Sequence, residues 1–112
     1  MAPTSLALML PLSFAAGAAR FDASRAGWTL LDPGSAGAEL RTFTGQVAFE
    51  RVFSAAPVVH VGITGFDIDH RDNARLNVGI VAIDERGFQL ELRTWWNTRL
   101  WSVELNWIAL GH

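Results

Sequence analysis

Phe88-Gln89-Leu90-Glu91-Leu92-Arg93 alternates apolar with polar residues three times in succession, the period-two pattern of a half-buried β-strand. Phe88, Leu90 and Leu92 turn to a core, and Gln89, Glu91 and Arg93 turn to water. In front of it, Asp84-Glu85-Arg86-Gly87 has the length and the glycine of a four-residue hairpin turn. Residues 74–83 form the strand that enters this turn, with Leu76, Val78, Ile80 and Ala82 on one side. Behind it, residues 96–99 are the next turn, and residues 100–110 the last strand. There Trp101, Val103, Leu105, Trp107 and Ala109 share a face, and Ser102, Glu104 and Asn106 occupy the other.

Farther toward the N-terminus, residues 58–66 read as a strand with Val59, Val61 and Ile63 aligned, after the break Ser54-Ala55-Ala56-Pro57. Residues 67–73 are a polar loop. Residues 46–53 alternate, with Val47 and Phe49 on one face, and residues 27–31 are a short strand ended by the turn signal Asp32-Pro33-Gly34. After residue 20 no stretch holds helical spacing for three turns. Six strands separated by turn signals predict an antiparallel sandwich or barrel.

The 112 residues suffice for one domain and not for two. Half are apolar, as in a folded chain. The net charge is -2, and all nine cations are Arg, scattered along the chain rather than gathered into a phosphate-tracking face. That distribution argues against nucleic acid as a partner. With no Cys there is no disulfide framework and no thiolate chemistry. The apolar run at residues 6–12, followed by Ala15-Ala16-Gly17-Ala18-Ala19, resembles a secretory signal, although no cation precedes it and Pro11 interrupts it. Residues 1–19 are therefore expected to be a signal peptide or an N-terminal extension, too short to insert in a membrane, with the domain over residues 20–112 and a secreted or cell-surface location.

Five Trp and seven Phe with no Tyr form a heavy aromatic load. The alternation of residues 88–93 carries Trp95 to the solvent side, and Trp96 follows at the turn. Adjacent residues at a strand end point to different sides, which keeps one indole near water. A flat apolar face beside water is a surface on which the C–H face of a sugar packs. Arg75 begins its strand opposite Leu76, Val78 and Ile80, where its guanidinium can donate in a fixed fork to sugar hydroxyls. The plainer readings are an oligomer interface for the tryptophans and a solvated charge for Arg75. Trp107 is expected in the core; Trp101, at a strand start, fits either role.

Asp67, Asp69 and Asp72 invite a calcium reading, but a loop counted from Asp67 places Asp72 and Val78 where a Gly and a Glu are needed. His60, His70 and His112 lack metal-ligand spacing, and His60 is expected half-buried in its strand. No metal and no cofactor is expected. Asp67 and Asp69 fall on one strand face like a glycosidase pair, with too little chain left to build a cleft, and no serine sits in a Gly-rich elbow. No catalytic residue is assigned.

Val47-Ala48-Phe49, Phe53, Pro57-Val58-Val59 and Gly62-Ile63-Thr64-Gly65-Phe66-Asp67 resemble, in order and spacing, the H-type lectin domain of snail agglutinins and discoidin C-terminal domains. So do Arg75-Leu76-Asn77-Val78, Gly87-Phe88, Thr94-Trp95-Trp96-Asn97-Thr98, and the ending Ser102-Val103 with Trp107-Ile108-Ala109. The resemblance implies a six-stranded antiparallel β-sandwich that assembles as a homotrimer, sometimes stacked as a hexamer. It implies glycan partners with terminal galactose or N-acetylgalactosamine, held in shallow sites between protomers, and no chemistry on them. Arg75, Trp95, Trp96 and Trp101 match sugar-binding positions of the family, with Trp96 in place of a His and Trp101 in place of a Tyr. The family's polar loop matches residues 34–38, so Gly34 and Ser35 join the site. That loop has no Asp here, and Glu39 replaces the lost carboxylate if the loop is re-registered. The rival is a structural or assembly module that keeps the fold without sugar affinity.

Overall fold

A computed structural model describes residues 12–33 and 39–112. Its six strands are β1 (Ser13–Asp22), β2 (Arg41–Ala48), β3 (Val58–Ile68), β4 (Asn77–Ile83), β5 (Gly87–Thr94) and β6 (Leu100–Gly111). They form two three-stranded sheets, β1-β6-β3 and β2-β5-β4, antiparallel throughout. The fold is all-β, a six-stranded antiparallel β-sandwich with no helix among the described residues.

β5 buries Phe88, Leu90 and Leu92, the three residues whose alternation announces it. As the middle strand it pairs Leu92 with Phe43 and Val78, so one core layer spans its whole sheet. β6 does the same opposite, burying Val103, Leu105 and Ala109. Aromatic rings close both ends of the core. Trp107 packs 5.6 Å from Phe49 and 5.7 Å from Phe88, while Phe43 lies between Phe21 and Trp28 at 5.9 and 5.0 Å.

The count of six strands survives by an exchange. Residues 27–31 form no strand: they cross the end of the sandwich, where the Trp28 indole donates to the Leu100 carbonyl at 3.0 Å and Leu100 N–H donates to the Leu30 carbonyl at 2.9 Å. The sixth strand is β1, which pairs ten residues with β6 and contains the small-residue run that resembles a cleavage site. The run has a packing role there. A Cβ at Gly17 would lie 2.8 Å from the Trp107 ring, so only a glycine lets that indole lie against β1. The boundary expected at residue 20 thus falls inside β1.

Other limits move as well. β2 starts at Arg41, and Phe49 and Phe53 lie beyond it, tied by backbone bonds to Arg86 and Glu85. β4 starts at Asn77, after Arg75 and Leu76. A register shift between Ile80 and Ala82 sets Ala82 opposite Gln89, on the outer face rather than with Val78 and Ile80. His60 is exposed and pairs with Ile108 on the outer face of its sheet.

Gly45 of β2 faces Phe21 of β1 across the sandwich, and a Cβ there would meet the ring at 2.6 Å. Gly45→Val is expected to cost about 1–3 kcal/mol through overpacking, measured as a lowered midpoint in urea unfolding.

Candidate functional site

Residues 95–99 carry the chain from β5, the middle of one sheet, to β6, the middle of the other. A turn that crosses between two packed sheets must satisfy its polar groups away from water, and two arginines do this. Arg41, at the start of β2, donates Nη2 to the carbonyls of Trp96 at 3.0 Å and Thr98 at 2.6 Å. Its Nη1 donates to the Leu30 carbonyl at 2.9 Å, which fastens the turn to the crossing segment at residues 28–31. Burial pulls the Arg41 pKa below its ordinary value, and the charge of Asp32 works against that shift.

Arg75 holds the other side. Its Nη1 donates to Asn97 Oδ1 at 2.9 Å and to Thr98 Oγ1 at 3.0 Å. Thr98 is fully buried, and its hydroxyl donates onward to the Asn73 carbonyl at 2.6 Å. Asn97 Nδ2 reaches Asp72 Oδ1 at 3.0 Å, and Asp72 Oδ2 accepts from Arg99 Nη1 at 2.8 Å. The Asn and Thr of the Thr-Trp-Trp-Asn-Thr stretch are therefore the fasteners of the turn.

The tryptophans stand on this frame. Trp95 is 39% exposed and Trp96 51%. Trp96 has φ +59°, the left-handed region that costs an L-residue roughly 1–2 kcal/mol and is ordinarily left to glycine. Period-two alternation carries no signal of such a conformation.

The site residues expected from the sequence separate into groups. Arg75 and the Trp95–Trp96 pair meet at one turn through Asn97 and Thr98. Arg75 spends Nη1 on that turn, while its Nε and Nη2 have no partner among the described residues. Trp101 is 47% exposed and not on the core face. Asp67 pairs with Ser102 and Ile68 with Leu100, so Trp101 has no partner of its own on β3. This β-bulge on β6 reverses the alternation that places Trp101 with Val103 and Leu105. Glu39 is exposed, two residues before Arg41. Gly34 and Ser35 lie outside the described residues.

The carboxylates in the loop after β3 are already taken. Asp69 receives Nε and Nη2 of Arg71 at 2.9 and 2.7 Å and its backbone N–H at 3.0 Å. Those bonds hold its carboxyl well below the usual range, which removes it as a proton donor in a glycosidase pair. Asp72 serves Asn97 and Arg99, and among the described residues no group of His, Asp and Glu is arranged to hold a metal ion.

Thr98→Val removes the hydroxyl that bridges Arg75 and the Asn73 carbonyl, leaves that carbonyl only a long 3.4 Å bond from Arg75 Nη1, and is expected to cost about 1–3 kcal/mol in chemical denaturation. A depressed carboxyl pKa stabilises the fold above the unfolded value near pH 4 and loses that contribution as pH falls through the folded value. Through Asp69 and Asp22, both depressed, the melting temperature is expected to hold between pH 7 and 5 and to fall below pH 4, by calorimetry.

Residues 44–110, more than half of the chain, match the family model of the H-type lectin domain. A protein of Fuscovulum blasticum called ATP synthase subunits region ORF 7 is 37% identical over 71 residues, 63% of this chain. The match spans 62% of that relative's length. Two structures of discoidin II from Dictyostelium discoideum, one recombinant and one wild-type, superpose with a TM-score of 0.76 at 20% identity. They cover 96% and 95% of this chain but only 40% and 39% of the discoidin chain, and at that identity the likeness is one of fold. With the sandwich and the Trp-bearing turn in place, the chain belongs to the H-type lectin domain family.

Proposed function

We propose that this lectin domain binds terminal galactose or N-acetylgalactosamine-type sugars, without chemistry on them, in shallow sites between the protomers of a homotrimer. The observation that carries the proposal is Trp96. The turn at residues 95–98 holds a bulky indole half in water in a conformation that glycine would adopt more cheaply. Backbone strain kept at an exposed aromatic fits a surface built for a ligand. Beside it, the unpartnered Nε and Nη2 of Arg75 supply donors for ring hydroxyls.

The between-protomer arrangement fits an incomplete site on a single chain: an indole platform and an arginine make one wall, and the family's second wall comes from the loop matching residues 34–38. Exposed apolar side chains support assembly. Phe14, Leu110 and Val58 are direct partners across β1, β6 and β3 on the outer face of their sheet, with Phe14 and Val58 exposed. Weak sites multiplied in a trimer gain strength by avidity. A glycan-binding role agrees with a secreted or cell-surface location.

Calorimetric titration of the trimer, identified by light scattering, with N-acetylgalactosamine and methyl galactoside is expected to give weak saturable binding. Trp96→Gly is expected to melt no lower than the parent while losing about tenfold in affinity, as a hot-spot aromatic does. Unchanged affinity in that variant refutes the role of Trp96, and a confirmed trimer that binds no glycan refutes the lectin reading in favour of an assembly module.

A further inference from the structure

Asp22, Ser102 and Asp67 are direct partners across β1, β6 and β3. Opposed residues of antiparallel strands stand on the same face with Cβ atoms about 4.5–5.5 Å apart. The Ser102 hydroxyl therefore sits between two carboxylates on the outer face of the sheet. The bulge that frees Trp101 from the core turns its indole to the same side. In the next row Arg20, Glu104 and Gly65 are partners, and the Glu104 carboxylate lies over Gly65, 3.2 Å from where a Cβ would stand. The result is a groove of about 290 Å³ lined by Arg20, Asp22, Ser24, Asp67, Trp101 and Ser102.

One half of the row is satisfied within the protein. Asp22 accepts from the Ser24 N–H at 3.0 Å, from the Ser24 hydroxyl, and from Arg20 Nε at 3.3 Å. Arg20 Nη1 is held by Glu104 at 2.7 Å. The other half is open. Ser102 is only 6% exposed, yet its hydroxyl has no hydrogen-bond partner among the described residues. The Asp67 carboxylate has none there either and is exposed. An unpaired hydroxyl on a nearly buried serine, beside an unpaired carboxylate and a half-exposed indole, matches one ligand chemistry. Vicinal hydroxyls donate to the carboxylate, one of them exchanges a bond with the serine, and a C–H face lies on the ring.

We infer that this groove is a saccharide subsite in which Asp67 and Ser102 bind the hydroxyls of a pyranose packed on Trp101. The inference rests on the lectin reading and deepens it, by naming a carboxylate acceptor on β3. Two carboxylates against one guanidinium in the lining favour neutral sugars and disfavour uronates.

The test uses the isotope-labelled full chain and follows the tryptophan indole and backbone amide signals by NMR. Methyl galactopyranoside is expected to shift the Trp101 indole together with the Asp67 and Ser102 amides, and galacturonate to shift none of them. Asp67→Asn and Ser102→Ala are each expected to weaken the galactoside about tenfold without moving the melting temperature, because neither side chain holds the fold together. Shifts confined to Trp95, Trp96 and Asn97, with Asp67→Asn binding as the parent does, overturn the subsite and leave the lectin reading standing. Galactoside shifts that galacturonate reproduces overturn the charge argument and the role of Asp67. No shift from either sugar, or from N-acetylgalactosamine, overturns both readings.

Discussion

The chain has five residues in which to pass from the middle of one sheet to the middle of the other, and the sandwich depends on holding that passage. β5 and β6 are consecutive, and each is flanked on both sides, so the crossing joins the centres of the two sheets. The crossing brings backbone carbonyls to the end of an apolar core, where an unpaired carbonyl costs free energy. Arg41 and Arg75 meet this cost from the two edge strands of one sheet or just before them, and Asp72 with Arg99 continues the network toward β6. Planar guanidinium suits the task, since one side chain serves several acceptors in fixed directions. The same network positions Trp95 and Trp96, so the stability of the crossing and the display of two exposed indoles come from one set of hydrogen bonds.

What could be read from the sequence depended on whether burial leaves a periodic trace. β5 and most of β6 alternate cleanly because large apolar residues face one way and charged ones the other. β1 leaves no such trace: Ala15, Gly17 and Ala19 are small because Trp107 and the facing sheet fill the space, and Ala16 and Ala18 on the other face are small too. A run of that composition is indistinguishable from a processing signal. Bulges are equally silent. One added residue reverses every following assignment, which is how Ala82 and Trp101 move to the outer face. At the site, the motif located Arg75 and the two tryptophans, but spacing alone does not distinguish a guanidinium that reaches for a ligand from one that clasps a turn. Arg75 does the second with one nitrogen, and its others have no partner among the described residues.

Arginine is the chain's only cationic side chain apart from histidine, and much of it is committed internally. Arg41 is held by carbonyls, Arg71 by Asp69, Arg99 by Asp72, and Arg93 by Asn77 and Glu91. Arg25, Arg51, Arg75 and Arg86 have no carboxylate partner among the described residues, and two half-exposed indoles stand at the crossing.

Shifts of register on β3 and β4 have a separate consequence for the sheet margins. β3 and β4 are both outermost strands, each with an unpaired row of amides and carbonyls, and each is interrupted, at residues 63–65 and 80–82. A strand from another molecule that tried to extend either sheet would find the spacing of donors and acceptors broken within a few residues. At these two edges the irregularities blunt edge-to-edge growth into fibres, whereas β1 and β2, the other outermost strands, pair with their neighbours without a break.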